Sequence, residues 1–174
     1  MNKKYIFPVS IGLSDGIITA LILASGGIIG KSTIDLFEAF KISFGSAFAG
    51  AFSYFIAQYA GLNEELHRTA LQLNLKSTNY LLKGHLGIEI FVESLLGAFI
   101  SAFFGFLGAL IPLSSSLIIK NNIELPLLLS YASLAVLGLF ISKTTAGRAR
   151  FWILVMVTVG IIVTIAGYEL KLIV

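Results

Sequence analysis

The chain has no cysteine and few charged residues, and both absences exclude classes of function. Among its 174 residues there is no cysteine, which excludes disulfides, thiolate metal sites and a cysteine nucleophile. Only 12% of the residues are charged, whereas 57% are hydrophobic. A soluble domain carries about 25% charged residues. The composition therefore predicts a membrane protein.

Motifs for nucleotide binding and for hydrolytic chemistry are also lacking. The sequence holds no Walker loop, no HExxH, no dinucleotide fingerprint and no serine–histidine–aspartate arrangement. We therefore expect no enzymatic activity and no bound cofactor. The net charge of +3 does not indicate a nucleic-acid partner, because the basic residues are spread over short loops.

Five hydrophobic segments are long enough to cross a bilayer as helices. They cover residues 5–30, 42–63, 88–119, 125–142 and 151–170. A helix rises about 1.5 Å per residue, so each segment reaches or nearly reaches across a hydrocarbon core of about 30 Å. The fold class predicted is all-α: a polytopic membrane protein with five transmembrane helices, forming one membrane domain over residues 1–174.

The first segment resembles a secretory signal, because Lys3 and Lys4 precede its apolar run. It is nevertheless long, contains Asp15 and is followed by four further spans, so we expect it to be retained. With five spans, eight basic residues lie on the N-terminal side of the membrane and four on the other. This asymmetry predicts a cytoplasmic N-terminus.

The longest connection, residues 64–87, then lies in the cytoplasm as the only distinct element outside the membrane. Glu64 and Arg68 are four residues apart, and Leu62, Leu66 and Ala70 recur on one helical face. We therefore expect the second span to continue beyond the membrane as an amphipathic helix.

Small residues recur at every fourth position in three of the spans. The stripes are Gly12, Gly16, Ala20 and Ala24 in the first span; Gly45, Ala49, Ser53, Ala57 and Gly61 in the second; and Gly97, Ser101, Gly105 and Ala109 in the third. Small residues at this spacing let helix backbones approach closely, which drives helix association in lipid. Two uses stay open: packing within one bundle, or a homodimer seam along the first or second span.

Asp15 is the most informative polar residue, because it lies within the first span. A carboxylate at the centre of a bilayer costs about 2.5–3.5 kcal/mol on insertion scales, so such residues face a cavity, pair with a cation or relay protons. Tyr54 and Gln58, one helical turn apart in the second span, offer neutral oxygen atoms to a cation. For Gln58 the alternative role is a hydrogen bond between helices.

Glu89 and Glu93 lie one turn apart at the start of the third span. Two carboxylates on one helical face repel each other unless a cation lies nearby, and hard divalent cations prefer oxygen ligands. The pair is therefore a candidate cation site, or else an interfacial pair neutralised by Lys83 or Arg68.

Glu64 and Glu65, together with His67, form a third group at the end of the second span. Carboxylates and an imidazole can capture a divalent metal ion. Charged residues at a helix end are more commonly a solvated surface, and both interpretations stay open.

Four short motifs follow one another along the chain. They are G-L-S-D-G-I-I-T at residues 12–19, A-G-A-F-S at residues 49–53 with Tyr59 beyond it, G-A-L-I-P-L at residues 108–113, and Leu139-Phe140 followed by a small-residue turn and Gly147-Arg148. In this order, and with five spans, they resemble the motifs of the vacuolar iron transporter family. The resemblance covers nearly the whole chain and is to small prokaryotic members of that family.

The resemblance implies a homodimer in a prokaryotic cell membrane that exports Fe²⁺ or Mn²⁺ from the cytosol in exchange for protons. Its partners would be the lipid bilayer, divalent cations, protons and a second copy of the chain. Asp15 would alternate between a cation and a proton, Tyr54 and Gln58 would complete the mid-membrane site, and Glu89 and Glu93 would attract ions at its cytoplasmic mouth.

The chain departs from the family pattern at two positions in the second span. Tyr54 stands where the family has methionine, and Gln58 stands where it has glutamate. The family's large cytoplasmic metal-binding domain is reduced to residues 64–87, where Glu64 and Glu65 are the candidate substitutes. Neutral oxygen donors bind first-row divalent ions more weakly. The alternative function is therefore a structural or partner-binding membrane protein of the same fold that has lost transport.

Overall fold

The computed structural model shows five α-helices. It describes residues 3–30, 35–72, 84–118, 124–145 and 147–170. The helices are α1 (Lys3–Gly30), α2 (Leu36–Gln72), α3 (His85–Ile118), α4 (Glu124–Thr144) and α5 (Ala149–Leu170). All five are long and apolar enough to cross a membrane. The prediction of an all-α membrane protein with five spanning helices is confirmed.

Helix α2 begins earlier and ends later than the predicted span of residues 42–63. At its start, the Asp35 carboxylate accepts a hydrogen bond from the Leu36 amide (2.8 Å), and the Glu38 carboxylate accepts one from the Asp35 amide (3.2 Å). The bond from the Asp35 amide to Glu38 is one half of a capping box, and the helix begins there, before the apolar run does. At its end, Glu64 and Arg68 form an ion pair of 2.6 Å. The predicted extension is confirmed as far as Gln72, and residues 73–83 of the connection lie outside the described ranges.

The closest helix–helix packing joins α1 to α3 through their small residues. A Cβ atom added at Gly16 would lie 2.8 Å from the carbonyl carbon of Gly105 and 3.0 Å from the Ala109 amide nitrogen. One at Gly12 would lie 2.9 Å from the Cα atom of Ser101. Gly12 and Gly16 of the first-span stripe therefore pack against α3 of the same chain, which is the use within one bundle; a homodimer stays a prediction.

The small-residue stripe of α2, unlike that of α1, is not packed against another helix of the chain. Its five members are exposed: Gly45, Ala49, Ser53, Ala57 and Gly61. No atom of the described chain beyond the local helix lies within 4 Å of a Cβ atom built at Gly45 or Gly61. Helix α2 thus packs on α1 and α3 by other residues and leaves this stripe open.

Helices α4 and α5 form an antiparallel pair that also packs closely at glycine. A Cβ atom at Gly138 would lie 2.8 Å from the Trp152 carbonyl oxygen. The Tyr131 hydroxyl and the Thr164 hydroxyl, one on each helix, lie 3.1 Å apart in a hydrogen bond. At its far end α5 meets α1, where a Cβ atom at Gly167 would lie 2.9 Å from the carbonyl carbon of Ile22.

The apolar core lies in the half of the bundle that follows Asp15 along α1, away from the α1 N-terminus. Ile17, Leu21 and Leu134 are fully buried there, and α1, α4 and α5 all contribute to this cluster. The outer faces of α2 and α3 carry exposed phenylalanines at helical spacing, among them Phe44, Phe48, Phe52, Phe99 and Phe103. Large exposed apolar faces of this kind match the hydrocarbon of a bilayer rather than water.

We expect Gly16→Ala to destabilise the bundle and Gly45→Ala to leave it intact. Alanine at position 16 would force the α1 and α3 backbones apart, and overpacking of this kind costs about 1–3 kcal/mol. Alanine at position 45 meets open space and gains about 0.5–1 kcal/mol in helix propensity. Denaturant unfolding of the detergent-solubilised variants measures both effects. Equal stability of the two variants would contradict this packing.

Candidate functional site

A cavity between α1 and α2 brings together three of the residues predicted from the sequence. Its volume is about 590 Å³, and its wall includes Asp15, Tyr54 and Gln58. The hydroxyl-bearing residues Ser14 and Ser53 also line it. Because Asp15 follows Tyr5 by ten residues, or about 15 Å of helix, the cavity reaches about halfway across a bilayer. The structure thus places one carboxylate among neutral oxygen donors at mid-membrane depth.

Gly50 provides the space that the Asp15 carboxylate occupies. A Cβ atom at Gly50 would lie 3.3 Å from the Asp15 Cγ atom and would contact Oδ2 even more closely. The three nearest atoms to this position all belong to the Asp15 side chain. Asp15 itself is half-buried. A side chain larger than glycine at position 50 would therefore displace the carboxylate without striking a helix backbone.

Tyr54 is held in a second notch, made by Gly97 of α3. A Cβ atom at Gly97 would lie 2.6 Å from the Tyr54 Cε1 atom and 3.0 Å from its hydroxyl oxygen. The ring of Phe7 packs against the Tyr54 ring with a centroid distance of 6.3 Å. Tyr54 is buried, and its hydroxyl lies against Gly97, one helical turn along α3 from Glu93. Tyr54 thus connects the Asp15 cavity to the acidic face of α3.

The two carboxylates predicted at the start of the third span line a different cavity. Glu89 and Glu93 share a space of about 350 Å³ with Tyr5 and His85. Glu89 is exposed and Glu93 is half-buried. This outer cavity lies at the end of the bundle that carries the α1 N-terminus. Acidic side chains therefore continue from the Tyr54 side of the Asp15 cavity towards the rim of the bundle.

Sequence reasoning assigned no role to His85, yet it lines the outer cavity. The sequence spacing could have indicated this role. His85, Glu89 and Glu93 follow one another at intervals of four residues, which places them on one face of a helix. Sequence reasoning also missed the two glycine notches. Gly50 and Gly97 matter only because of the side chains that α1 and α2 present to them.

Glu64 and Glu65 line neither of the two cavities. Both are exposed on the last turns of α2, and Glu64 is paired with Arg68. The structure therefore does not bring them to the mid-membrane site. Their role in metal capture stays a prediction.

The donor set limits what the site can bind. In the part of the chain that the structure describes, no three histidine, aspartate or glutamate side chains converge to hold one metal ion. The Asp15 cavity offers one charged oxygen ligand, and Tyr54, Gln58 and the serines add neutral oxygens. Oxygen-only donor sets suit hard cations, and a single negative charge gives weak, readily reversed binding. Reversible binding is what a transport site requires, whereas a structural metal site requires more ligands.

No protein-family model, no curated protein and no solved structure matches the chain. The resemblance to the vacuolar iron transporter family therefore rests on the motifs quoted above and stays a prediction.

We expect the Asp15 cavity to contain water when no cation is bound, because its polar side chains require solvation. Its volume leaves room for on the order of 20 water molecules at liquid density. The absence of native cysteine allows single cysteines to report on this. Cysteine in Gln58→Cys should react with a charged, membrane-impermeant thiol reagent at least about tenfold faster than in Phe52→Cys, because the reactive thiolate forms in water and not in hydrocarbon.

The reaction rates in reconstituted vesicles measure this difference. Phe52 is the matched control, since it lies on the same helix and its exposed side chain faces the hydrocarbon. Equal rates at the two positions would show that the cavity is dry.

Proposed function

We propose that this protein transports a divalent metal cation, Fe²⁺ or Mn²⁺, across the membrane in exchange for protons. The observation that carries the proposal is the mid-membrane cavity in which Asp15 lies beside Tyr54 and Gln58. An ionisable residue within a membrane span marks an ion path more often than it marks packing. Here the carboxylate has its own glycine notch rather than a basic partner among the residues lining its cavity.

Exchange for protons follows from the presence of one carboxylate. The Asp15 side chain can hold a cation or a proton, but not both through the same oxygens. Proton binding therefore releases the cation, and cation binding displaces the proton. Tyr54 and Gln58 would supply neutral ligands in the cation-bound state, and the serine hydroxyls would supply others.

The outer cavity supports a route by which the cation reaches Asp15. Glu89 and Glu93 line the outer cavity with His85, and Tyr54, which lines the Asp15 cavity, packs against Gly97 one turn along α3 from Glu93. Carboxylates at a pore mouth raise the local concentration of cations. If the α1 N-terminus is cytoplasmic, as the basic residues predict, this rim faces the cytosol and the transport direction is export.

A homodimer is part of the proposal, with its seam along the open stripe of α2. Small residues at intervals of four allow two copies of α2 to approach closely in lipid. Ser53 and Ala57 belong both to this stripe and to the wall of the Asp15 cavity. A second copy at this seam would therefore cover the side of the cavity that one chain leaves open.

The alternative function is a structural or partner-binding membrane protein that no longer transports ions. The observation that favours it is the single charge in the Asp15 cavity, since both α2 donors, Tyr54 and Gln58, are neutral. Thermal stability with and without Mn²⁺ separates the two functions. A protein that binds the ion is stabilised by a free energy that grows with the logarithm of the ratio of ion concentration to dissociation constant. A melting temperature that no divalent ion shifts would favour the alternative.

We expect Asp15→Asn to lower Mn²⁺ flux into proteoliposomes by at least about tenfold, because an amide oxygen carries no net charge to bind the ion. Gly50→Ala should also lower the flux. In this variant Asp15 is unchanged, but the added methyl group occupies the space of its carboxylate and displaces it. The counterflow of protons, measured with a pH-sensitive dye inside the vesicles, should fall in parallel.

Glu38→Gln is the control for these variants, because Glu38 is exposed in the first turn of α2 and lines neither cavity. Its flux should equal that of the original chain. If Asp15→Asn carries Mn²⁺ at the original rate, the carboxylate has no part in transport and the proposal is wrong.

We expect Ala49→Cys to form a disulfide-linked dimer on mild oxidation in membranes, since Ala49 lies on the open α2 stripe. A disulfide requires Cα atoms within about 7 Å, which close packing of two such stripes permits. Ile162→Cys serves as the control, because Ile162 is exposed on α5, away from the seam. Equal cross-linking at both positions would indicate random collision, and its absence at position 49 would exclude this seam.

A further inference from the structure

A separate cavity lies between α1, α4 and α5 at the end of the bundle that carries the α1 N-terminus. Its volume is about 410 Å³, and its wall includes Ile6, Ile141 and Met156. The side chains of Phe7, Ile11 and Ser14 line both this cavity and the Asp15 cavity, so they separate the two. We refer to this second space as the α1–α4–α5 slot. The residues that line it carry no charge.

One polar atom in the slot has no partner within the protein. The Ser10 hydroxyl oxygen is buried and makes no hydrogen bond to any described residue, and Ser10 as a whole is only 6% exposed. By contrast, the Ser14 hydroxyl donates to the Ile11 carbonyl and the Thr145 hydroxyl to the Ile141 carbonyl. A buried hydroxyl without a partner is unfavourable, so Ser10 indicates a ligand that supplies an acceptor.

The end of the slot is formed by the turn between α4 and α5. Thr145 and Trp152 line the slot there, and the Trp152 indole packs on Gly147, where an added Cβ atom would lie 3.0 Å from its Cδ1 atom. The Arg148 carbonyl accepts hydrogen bonds from the amides of Phe151 and Trp152, so Arg148 is the N-cap residue that precedes α5. A tryptophan at this position is typical of a membrane–water interface.

Three basic residues surround this turn, and the segment that forms α4, the turn and α5 contributes no acidic residue between residues 125 and 168. Lys143, Arg148 and Arg150 are all exposed. The end of the slot is therefore suited to an anionic group.

From the uncharged slot, the buried Ser10 hydroxyl and the basic turn, we propose that the α1–α4–α5 slot binds an anionic phospholipid of the adjacent leaflet. The phosphate lies at Arg148 and Arg150, one acyl chain enters the slot, and an ester carbonyl accepts the hydrogen bond from Ser10. The depth agrees with this arrangement, because Ser10 lies five residues, or about 7.5 Å, inward from Tyr5. Ester groups lie just below the phosphates of a bilayer, at the boundary of the hydrocarbon.

Native mass spectrometry of the full chain in detergent tests the proposal with phosphatidylglycerol and phosphatidylcholine that carry identical acyl chains. Each basic residue near a membrane surface contributes about a fivefold gain in affinity for anionic lipid. The original chain should therefore bind phosphatidylglycerol at least about tenfold more tightly than phosphatidylcholine. The double variant Arg148→Gln/Arg150→Gln should remove this preference, whereas Lys41→Gln, at the opposite end of the bundle, should preserve it.

Thr145→Trp tests the acyl chain separately from the headgroup. Because Thr145 is exposed, the variant protein is expected to fold, and the tryptophan side chain is expected to fill the slot. It should weaken binding of both lipids, whereas the arginine variant weakens binding of the anionic lipid alone. Inorganic phosphate at the same concentration should not displace the bound lipid, because it lacks the acyl chain.

Four results would overturn the proposal. The first is equal binding of the two lipids by the original chain. The second is the same loss of preference in Lys41→Gln as in the arginine variant, which would indicate diffuse charge attraction. The third is unchanged lipid binding in Thr145→Trp, and the fourth is displacement of the lipid by inorganic phosphate; either would indicate an anion site without a slot for the acyl chain.

Discussion

The close approach of α1 and α3 is the constraint from which the candidate site follows. Gly16 lies against the backbone of Gly105, so no side chain separates the two helices there. The neighbouring residue, Asp15, is turned about 100° around α1 and faces α2 instead. The same contact that stabilises the bundle therefore aims the carboxylate into the cavity. In lipid, where helices gain little from the hydrophobic effect, such backbone packing has to supply the orientation.

Glycine serves three different purposes in this bundle. At Gly12 and Gly16 it permits contact between backbones, and at Gly50 and Gly97 it leaves space for the Asp15 and Tyr54 side chains. At Gly45 nothing in the described chain meets it. The first purpose stabilises the fold, the second shapes the site, and the third leaves a surface for another helix. A pattern of small residues by itself does not distinguish these purposes.

The ionisable side chains that line the two cavities all lie in one half of the bundle. Asp15, Tyr54, Glu89, Glu93 and His85 lie between mid-membrane and the end that carries the α1 N-terminus. Beyond Asp15 the interior has an apolar cluster around Ile17 and Leu21, and the polar side chains buried there are uncharged, among them Ser25, Ser43 and Ser130.

The sequence by itself determined the number of spans, the helical class and the presence of a carboxylate at membrane depth, because hydrophobic run length and charge are local properties. It also placed Tyr54 and Gln58 on one face of α2, since helical spacing is fixed. Tertiary structure alone decided that the first-span stripe is used within one chain while the α2 stripe is open. It also decided that Asp15 shares a cavity with α2 and that Glu64 and Glu65 lie elsewhere. Each of these depends on how far one helix is rotated and displaced against another, and no local property of the chain encodes that relation.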